Sequence, residues 1–297
     1  MALFLPVMLQ LILKIFSFII AGYILGRLIR PTDSIRKTLV NLLLYLLVPA
    51  LFFCNLWASD IVYKHIITTF LSVTVVMGSG ILFSYIYSKF SKLKFKEIVF
   101  PISSINSGYL GVPIITILFG QGAIAFAILY NFSVTLYEYT IGLYFISGRN
   151  TKKVFSLPIL YLLILAIILN QLHINVPGPV LLIGQVINYI TPPLMLAFVG
   201  YELSRIKMFN IKHSLIGSFL RLIGGTIAGF ICILIFNPGP MMSKVILLIS
   251  GMPSAVISYI FAAKYDTGKE FAATTVLLST LLSIITLSIT LVLIGNF

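Results

Sequence analysis

Acidic side chains are scarce in this chain: 7 Asp and Glu in 297 residues, against 20 Lys and Arg. Cysteine falls to 2, histidine to 3 and tryptophan to 1. Each shortage excludes a class of chemistry. Cys54 and Cys232 stand alone inside apolar runs, with neither a disulfide framework nor a metal-ligand spacing, so they are read as small core hydrophobes. His65, His173 and His213 lie at separate segment ends or loops and no HExxH occurs, so no metal site is expected. No Ser/His/Asp set gathers near an inferable polar cleft. The chain is therefore expected to have no catalytic residues and no cofactor, and not to be an enzyme.

What the sequence does hold is apolar: 60% of it is hydrophobic and only 9% charged. A soluble domain of this size could not hide so much apolar surface, which makes this an integral membrane protein. Cut at its charge and Pro/Gly clusters, the chain yields ten runs near the roughly 20 residues that a helix needs to cross a bilayer. They are 4–27, 37–57, 65–88, 97–119, 121–147, 155–172, 179–203, 212–236, 242–263 and 270–294. The runs are continuous rather than alternating, which excludes a β-barrel and predicts an all-α protein. Residues 1–28 carry no basic residue before Lys14 and no small-residue cleavage site, and read as a first span rather than a signal peptide.

The net charge of +13 does not point to nucleic acid, because the basic residues sit between the apolar runs, where they orient spans. The odd-numbered loops hold Arg27, Arg30, Arg36, Lys37; Lys89, Lys92, Lys94, Lys96; Arg149, Lys152, Lys153; Arg205, Lys207, Lys212; and Lys264, Lys269, whereas the even ones hold only Lys64 and Lys244. Sixteen against two puts the odd loops in the cytoplasm, giving a multi-pass protein of the cell membrane with both termini outside.

The segments pair across the chain. LVPA at 47–50 is matched by TPPL at 191–194, and GVPI at 111–114 by GMPS at 251–254, with offsets of 144 residues from Pro49 to Pro193 and 140 from Pro113 to Pro253. These offsets predict two five-helix repeats, 1–148 and 149–297, which an odd number of spans forces into inverted orientations. Within the fourth run, NSGYLGVP at 106–113 sets Gly108, Gly111 and Pro113 where a helix tolerates them least. Non-helical backbone at membrane depth survives only where protein or a water-filled cavity satisfies it. Broken helices 4 and 9 are thus expected to cross near the bilayer centre, each resuming near Pro113 or Pro253 with unpaired N–H groups and a partial positive charge suited to a carboxylate. Two simple proline kinks are the alternative, and the kink reading is preferred for runs 2 and 7.

NSGYLGVP at 106–113 followed by FGQGA at 119–123, MPSAVISYIFAAKYD at 252–266 with TTVLLSTLLSIITLSITLVL at 274–293, and LLLYLLVPALFF at 42–53 together resemble the auxin efflux carrier family. That family includes plant PIN transporters and prokaryotic organic-anion permeases. The resemblance implies a scaffold from spans 1, 2, 6 and 7 and a transport domain from spans 3–5 and 8–10, with an elevator-type movement between them and a homodimer through spans 2 and 7. It matches the family's substrate asparagine to Asn106, its crossing prolines to Pro113 and Pro253, and a polar span-5 residue to Asn131. The long cytoplasmic loop of many plant members is missing.

Among the ionisable groups within spans, Glu138 lies deepest; it is a candidate for coupling to a proton or cation, or a structural partner of Arg221 or Lys14. Arg221 is near enough to the cytoplasmic end to snorkel, and Lys14 suits a salt bridge or a cavity wall. The hydroxyls and amides Ser103, Ser104, Ser107, Tyr109, Asn131, Ser133, Ser254 and Ser258 either line a polar cavity or bond back to their own helices. The resulting expectation is a secondary transporter of a small organic anion, an auxin-like monocarboxylate or a dicarboxylate, in the lipid bilayer. Its substrate would meet Asn106, Gly111, Pro113, Asn131, Pro253 and Ser254, with Tyr109 and Tyr130 against its body. The alternatives are a proton-coupled malonate- or malate-like permease and an anion channel.

Overall fold

The structure is a computed structural model that describes residues 4–29, 38–39, 41–59, 63–147, 158–205 and 210–294. Helices occupy every one of the ten apolar segments, and no strand occurs among the described residues. This follows from composition, because an apolar surround offers backbone amides no partner except one another. Five helical stretches, Tyr63–Phe90, Phe95–Phe119, Gly178–Ser204, Ile211–Phe236 and Lys269–Ile294, are long and apolar enough to cross a membrane. Phe16–Ile29, Tyr45–Trp57, Tyr161–Gln171 and Pro240–Ser250 are shorter apolar helices. The 148/149 boundary expected between repeats, and Arg30, Arg36, Lys37, Arg149, Lys152, Lys153 and Lys207, lie outside the described residues; so does the Lys14 side chain.

Two compact units form, each drawing on both halves of the chain. The first comprises Met1–Ile67, Gly108–Phe132 and Phe155–Arg205. Its frame is helix α1 (Phe4–Ile29) laid along α9 (Gly178–Ser204), with α2 (Val48–Trp57) between α9 and α8 (Pro158–Gln171). Small residues allow the close approach: a Cβ on Gly22 would stand 1.8 Å from the Ala197 carbonyl oxygen, and one on Gly200 1.8 Å from that of Ile19. The Gly22/Gly26 spacing is thus a packing device, as GxxxG spacings commonly are. Amide side chains tie the far ends. Asn55 and Asn188 bond each other at 2.6 Å, and Asn170 Nδ2 donates to the Trp57 carbonyl at 3.2 Å. Cys54 is buried against Gly184.

Pro49, Pro192 and Pro193 of this unit are absorbed without a break. A π turn, Leu43–Leu47, precedes Pro49, and α9 runs through Pro192 and Pro193 uninterrupted. Runs 2 and 7 are thus not broken at these prolines, in contrast to runs 4 and 9.

The second unit comprises Thr68–Ser107, Ser133–Val154 and Ile206–Phe297. It holds most of α3 (Tyr63–Phe90), α4 (Phe95–Ser103), the end of α6 (Gln121–Tyr137), α7 (Leu143–Ser147), α10 (Ile211–Phe236), α11 (Pro240–Ser250), α12 (Val256–Lys264) and α13 (Lys269–Ile294); α5 (Val112–Phe119) belongs to the first unit. Ile98 and Ile102 of α4 pack with Phe271 of α13 in a fully apolar cluster. Cys232 is buried on α10.

The glycine contacts yield a direct test, with one glycine from each unit. Gly200→Ala is expected to destabilise by about 1–3 kcal/mol or more, because the backbone facing it cannot yield. Gly78→Ala, with nothing within 4 Å of its Cβ, is expected to hold or raise stability by up to about 1 kcal/mol. Melting temperatures of the purified variants in one detergent check both.

Candidate functional site

The fourth and ninth apolar segments are both interrupted, and the interruptions meet inside the second unit. Helix α4 ends at Ser103; Ser104, Ile105 and Asn106 are non-helical, with Ser104 extended at φ −70°, ψ 142°. Helix α11 ends at Ser250, Gly251–Ala255 are non-helical, and α12 begins at Val256. The Asn106 N–H donates to the Pro253 carbonyl at 2.9 Å. Residues far apart in sequence thereby satisfy each other's backbone where no helix can.

Several amides expected to be unpaired at the crossing are not. Besides Asn106, the Ser254 N–H donates to Ser279 Oγ at 3.1 Å, and the Ile105 N–H bonds the Glu138 carboxylate. An unpaired buried donor costs about 1–3 kcal/mol, so the protein supplies partners from α13 and from the end of run 5. The position of the first break also differs from expectation. Chain from Ser107 onward is helical again, as a π turn (Ser107–Gly111) leading into α5, with Gly111 at φ −62°, ψ −54°. Gly111 and Pro113 therefore sit in resumed helix rather than in unwound chain. The wide π turn just ahead of Pro113 takes up the carbonyls that a proline, lacking an N–H, cannot serve.

Two charges flank the first break. Arg221 of α10 is 1% exposed; its Nη1 donates to the Ser103 carbonyl at 3.1 Å and the Ile102 carbonyl at 3.5 Å, and its Nη2 to the Ser250 carbonyl at 2.6 Å. Snorkelling to the membrane surface is thus corrected: two helix ends with surplus carbonyls hold this guanidinium inside. Gly225, one turn on, makes the room, since a Cβ there would fall 1.9 Å from Nη2 and 2.2 Å from the Ser250 oxygen. Glu138, 5% exposed, opens a second π turn (Glu138–Gly142). Ser104 Oγ donates to its carboxylate, and the charge of Arg221 acts on it. Phe100 lies against Gly142, where a Cβ would come within 2.2 Å of the ring.

Asn106 itself is 2% exposed, and its Nδ2 has no hydrogen-bond partner among the described residues. Near it in the chain fold, Ser254 Oγ and Ser258 Oγ share a hydrogen bond of 3.2 Å. Ser103 and Ser258 also bond back to the carbonyls of Val99 and Ala255. Ser103 is therefore a back-bonding residue, while Ser104 and Asn106 are turned to other work.

Of the residues singled out from sequence, Asn106, Pro253, Ser254 and Glu138 thus lie together in the second unit. Tyr109, Gly111, Pro113 and Asn131 belong to the first. There Gly108 gives Asn131 its approach, because a Cβ would stand 2.8 Å from Asn131 Oδ1. The half-buried Tyr109 ring lies 5.5 Å from that of Phe198, and Tyr130 is fully buried. Sequence reasoning missed Ser279 and the bridging part of Arg221. A signal existed for the first: Thr275, Ser279 and Ser283 recur every fourth residue of α13 and are all buried.

Broken, mutually bonded helices within an apolar helical unit belong to membrane proteins that keep polar backbone at depth for an interior site, so the class is a multi-pass membrane protein built for transport. The chain belongs to the family described as membrane transport protein, the auxin efflux carrier family, which matches residues 7–157 and 148–291. It is 25% identical over 296 residues to a protein named uncharacterized transporter from Methanothermobacter thermautotrophicus, spanning 94% of this chain and 95% of that one. A second protein so named, from Methanocaldococcus jannaschii, is 26% identical over 302 residues, spanning 94% and 96%. The family and both relatives are described as transport proteins rather than enzymes.

Ser104→Ala removes a hydroxyl from a buried carboxylate and is expected to cost about 1–3 kcal/mol. Ser103→Ala loses only a bond to its own helix and is expected to cost less than about 0.5 kcal/mol. Thermal unfolding of the two variants, compared with the unsubstituted protein, reads the difference.

Proposed function

We propose that this protein is a secondary transporter that carries a small organic anion by alternating access. The observation that supports it best is Asn106: a carboxamide donor buried and unpartnered among the described residues, beside the hydrogen bond that joins the two broken segments. A donor kept in that state at a cost of about 1–3 kcal/mol suits a carboxylate arriving from solution. In this reading the Asn106 carboxamide and the Ser254 hydroxyl hold the anionic group beside Pro253, with the start of α12 adding its partial positive charge. Tyr109, Gly111, Pro113 and Asn131, expected from the sequence to meet the substrate, lie in the first unit.

The same proposal takes the chain as ten spans in two inverted five-helix repeats, 1–148 and 149–297, with helices 4 and 9 crossed and both termini outside the cell membrane. The paired prolines and the bond between the two breaks support it. The division into a fixed scaffold (spans 1, 2, 6 and 7) and a moving part (spans 3–5 and 8–10), and a homodimer through spans 2 and 7, rest on the family resemblance.

A second reading has one observation in its favour. Glu138 places a buried carboxylate against the first break, which suits proton coupling and uptake of a dicarboxylate. Without coupling, the membrane potential alone drives an anion outward, by about 2.3 kcal/mol per charge per 100 mV.

Purified protein screened by thermal shift against mono- and dicarboxylates is expected to be stabilised by at least one of them. Asn106→Ala should abolish that stabilisation and lower counterflow in proteoliposomes about tenfold or more, consistent with losing a charge-assisted bond of about 1.5–3 kcal/mol. Unchanged counterflow in a well-folded Asn106→Ala protein rejects the site. If flux varies with pH in the unsubstituted protein and not in Glu138→Gln, the proton-coupled reading holds; pH-independent flux removes Glu138 from the mechanism.

A further inference from the structure

We infer that Arg221 is the positioning residue of the crossing: its guanidinium ties the C-terminal ends of both interrupted helices to α10 and so fixes where the two breaks meet. Three observations carry this independently of any substrate. The first is reach. One side chain donates to Ser103 at the end of α4 and to Ser250 at the end of α11, at 3.1 Å and 2.6 Å, and no shorter or singly pointed donor could serve both. A planar fork with five N–H groups can, whereas a lysine ammonium is a single point of charge.

The second is charge balance. Each helix C-terminus carries about half a negative charge, so two of them meeting at one place sum to about one unit. A single permanently protonated guanidinium offsets that amount. On the other side of the first break, where the chain presents an N–H, stands the acid Glu138, bonded to Ile105 N–H and Ser104 Oγ. The guanidinium thus faces the carbonyls that end both helices, and the Glu138 carboxyl group faces an amide and a hydroxyl within the break.

The third is space. Both helix ends abut glycine: a Cβ on Gly80 of α3 would stand 2.7 Å from Ser103 Cα, and on Gly229 of α10 2.5 Å from Ser250 Cβ. Gly225 leaves the volume that the guanidinium fills. Glycine thus lets both helix ends and the guanidinium approach closely, and a larger residue at 225 would displace the guanidinium.

Hydrogen–deuterium exchange of the full chain in nanodiscs tests the inference, because it reads the backbone and needs no substrate; failure of the Asn106 transport assay and failure here are separate results. In Arg221→Met, peptides covering 98–107 and 247–256 are expected to exchange about tenfold faster or more, both together, while peptides from α1 and α9 keep their rates. Arg221→Lys should restore part of the protection, and Gly225→Ala, which retains the charge but fills its place, should resemble Arg221→Met. Unchanged exchange at both breaks in Arg221→Met overturns the inference, as does loosening at one break alone. If Arg221→Met does not fold, Arg221→Lys decides: faster exchange at one or both breaks upholds the inference and wild-type exchange at both overturns it.

Discussion

A helix that stops inside an apolar interior leaves carbonyls at one side of the gap and amides at the other, and everything at this site follows from how those groups are met. Two such gaps occur here. The cost of leaving them open, several kcal/mol per group in a medium without water, is larger than any single packing term nearby. The protein meets it by bringing the gaps together, so that Asn106 and Pro253 pair directly, and by spending its rare interior charges on what is left. Arg221 takes carbonyls from both helix ends, and Glu138 takes the amide and hydroxyl just beyond the first.

This arrangement explains how so apolar a chain accommodates these two side chains. Taken singly, a buried arginine and a buried glutamate would destabilise; set against opposite ends of interrupted backbone, each replaces lost hydration with several hydrogen bonds. It also narrows what remains for a ligand. Backbone amides at Ile105, Asn106 and Ser254 are occupied, so in the proposed transport reading recognition falls to side chains, above all the Asn106 carboxamide. Neutral donors of that kind can hold a carboxylate without trapping it, since no permanent ion pair has to be broken when it leaves.

Much of the architecture was legible in the residues. Continuous apolar runs gave helices at all ten places, and the Gly22/Gly26 and Gly225/Gly229 spacings marked close helix approaches. Proline with surrounding glycine separated interrupted segments from those that stay helical at Pro49 and Pro192–Pro193. What sequence misplaced was the first break itself, by a few residues. Gly108 reads as a helix breaker, yet it serves to admit Asn131, and a π turn keeps the chain helical through Gly111. Such a turn leaves no distinctive residue signature. Arg221 was visible as an intramembrane charge, but its partners are carbonyl oxygens, which every residue carries and no sequence pattern reveals.

The partners that complete the first gap are supplied late. Ser103 and Asn106 emerge in the first half of the chain, whereas Arg221, Pro253 and the Ser250 helix end that shares the guanidinium come from its last third. During synthesis the early helices must therefore wait in the bilayer with a defect that only later segments can mend. Assembly of this unit is accordingly a concluding event, reached after insertion, and a truncated chain that lacks α10 and α11 has no means of reaching it.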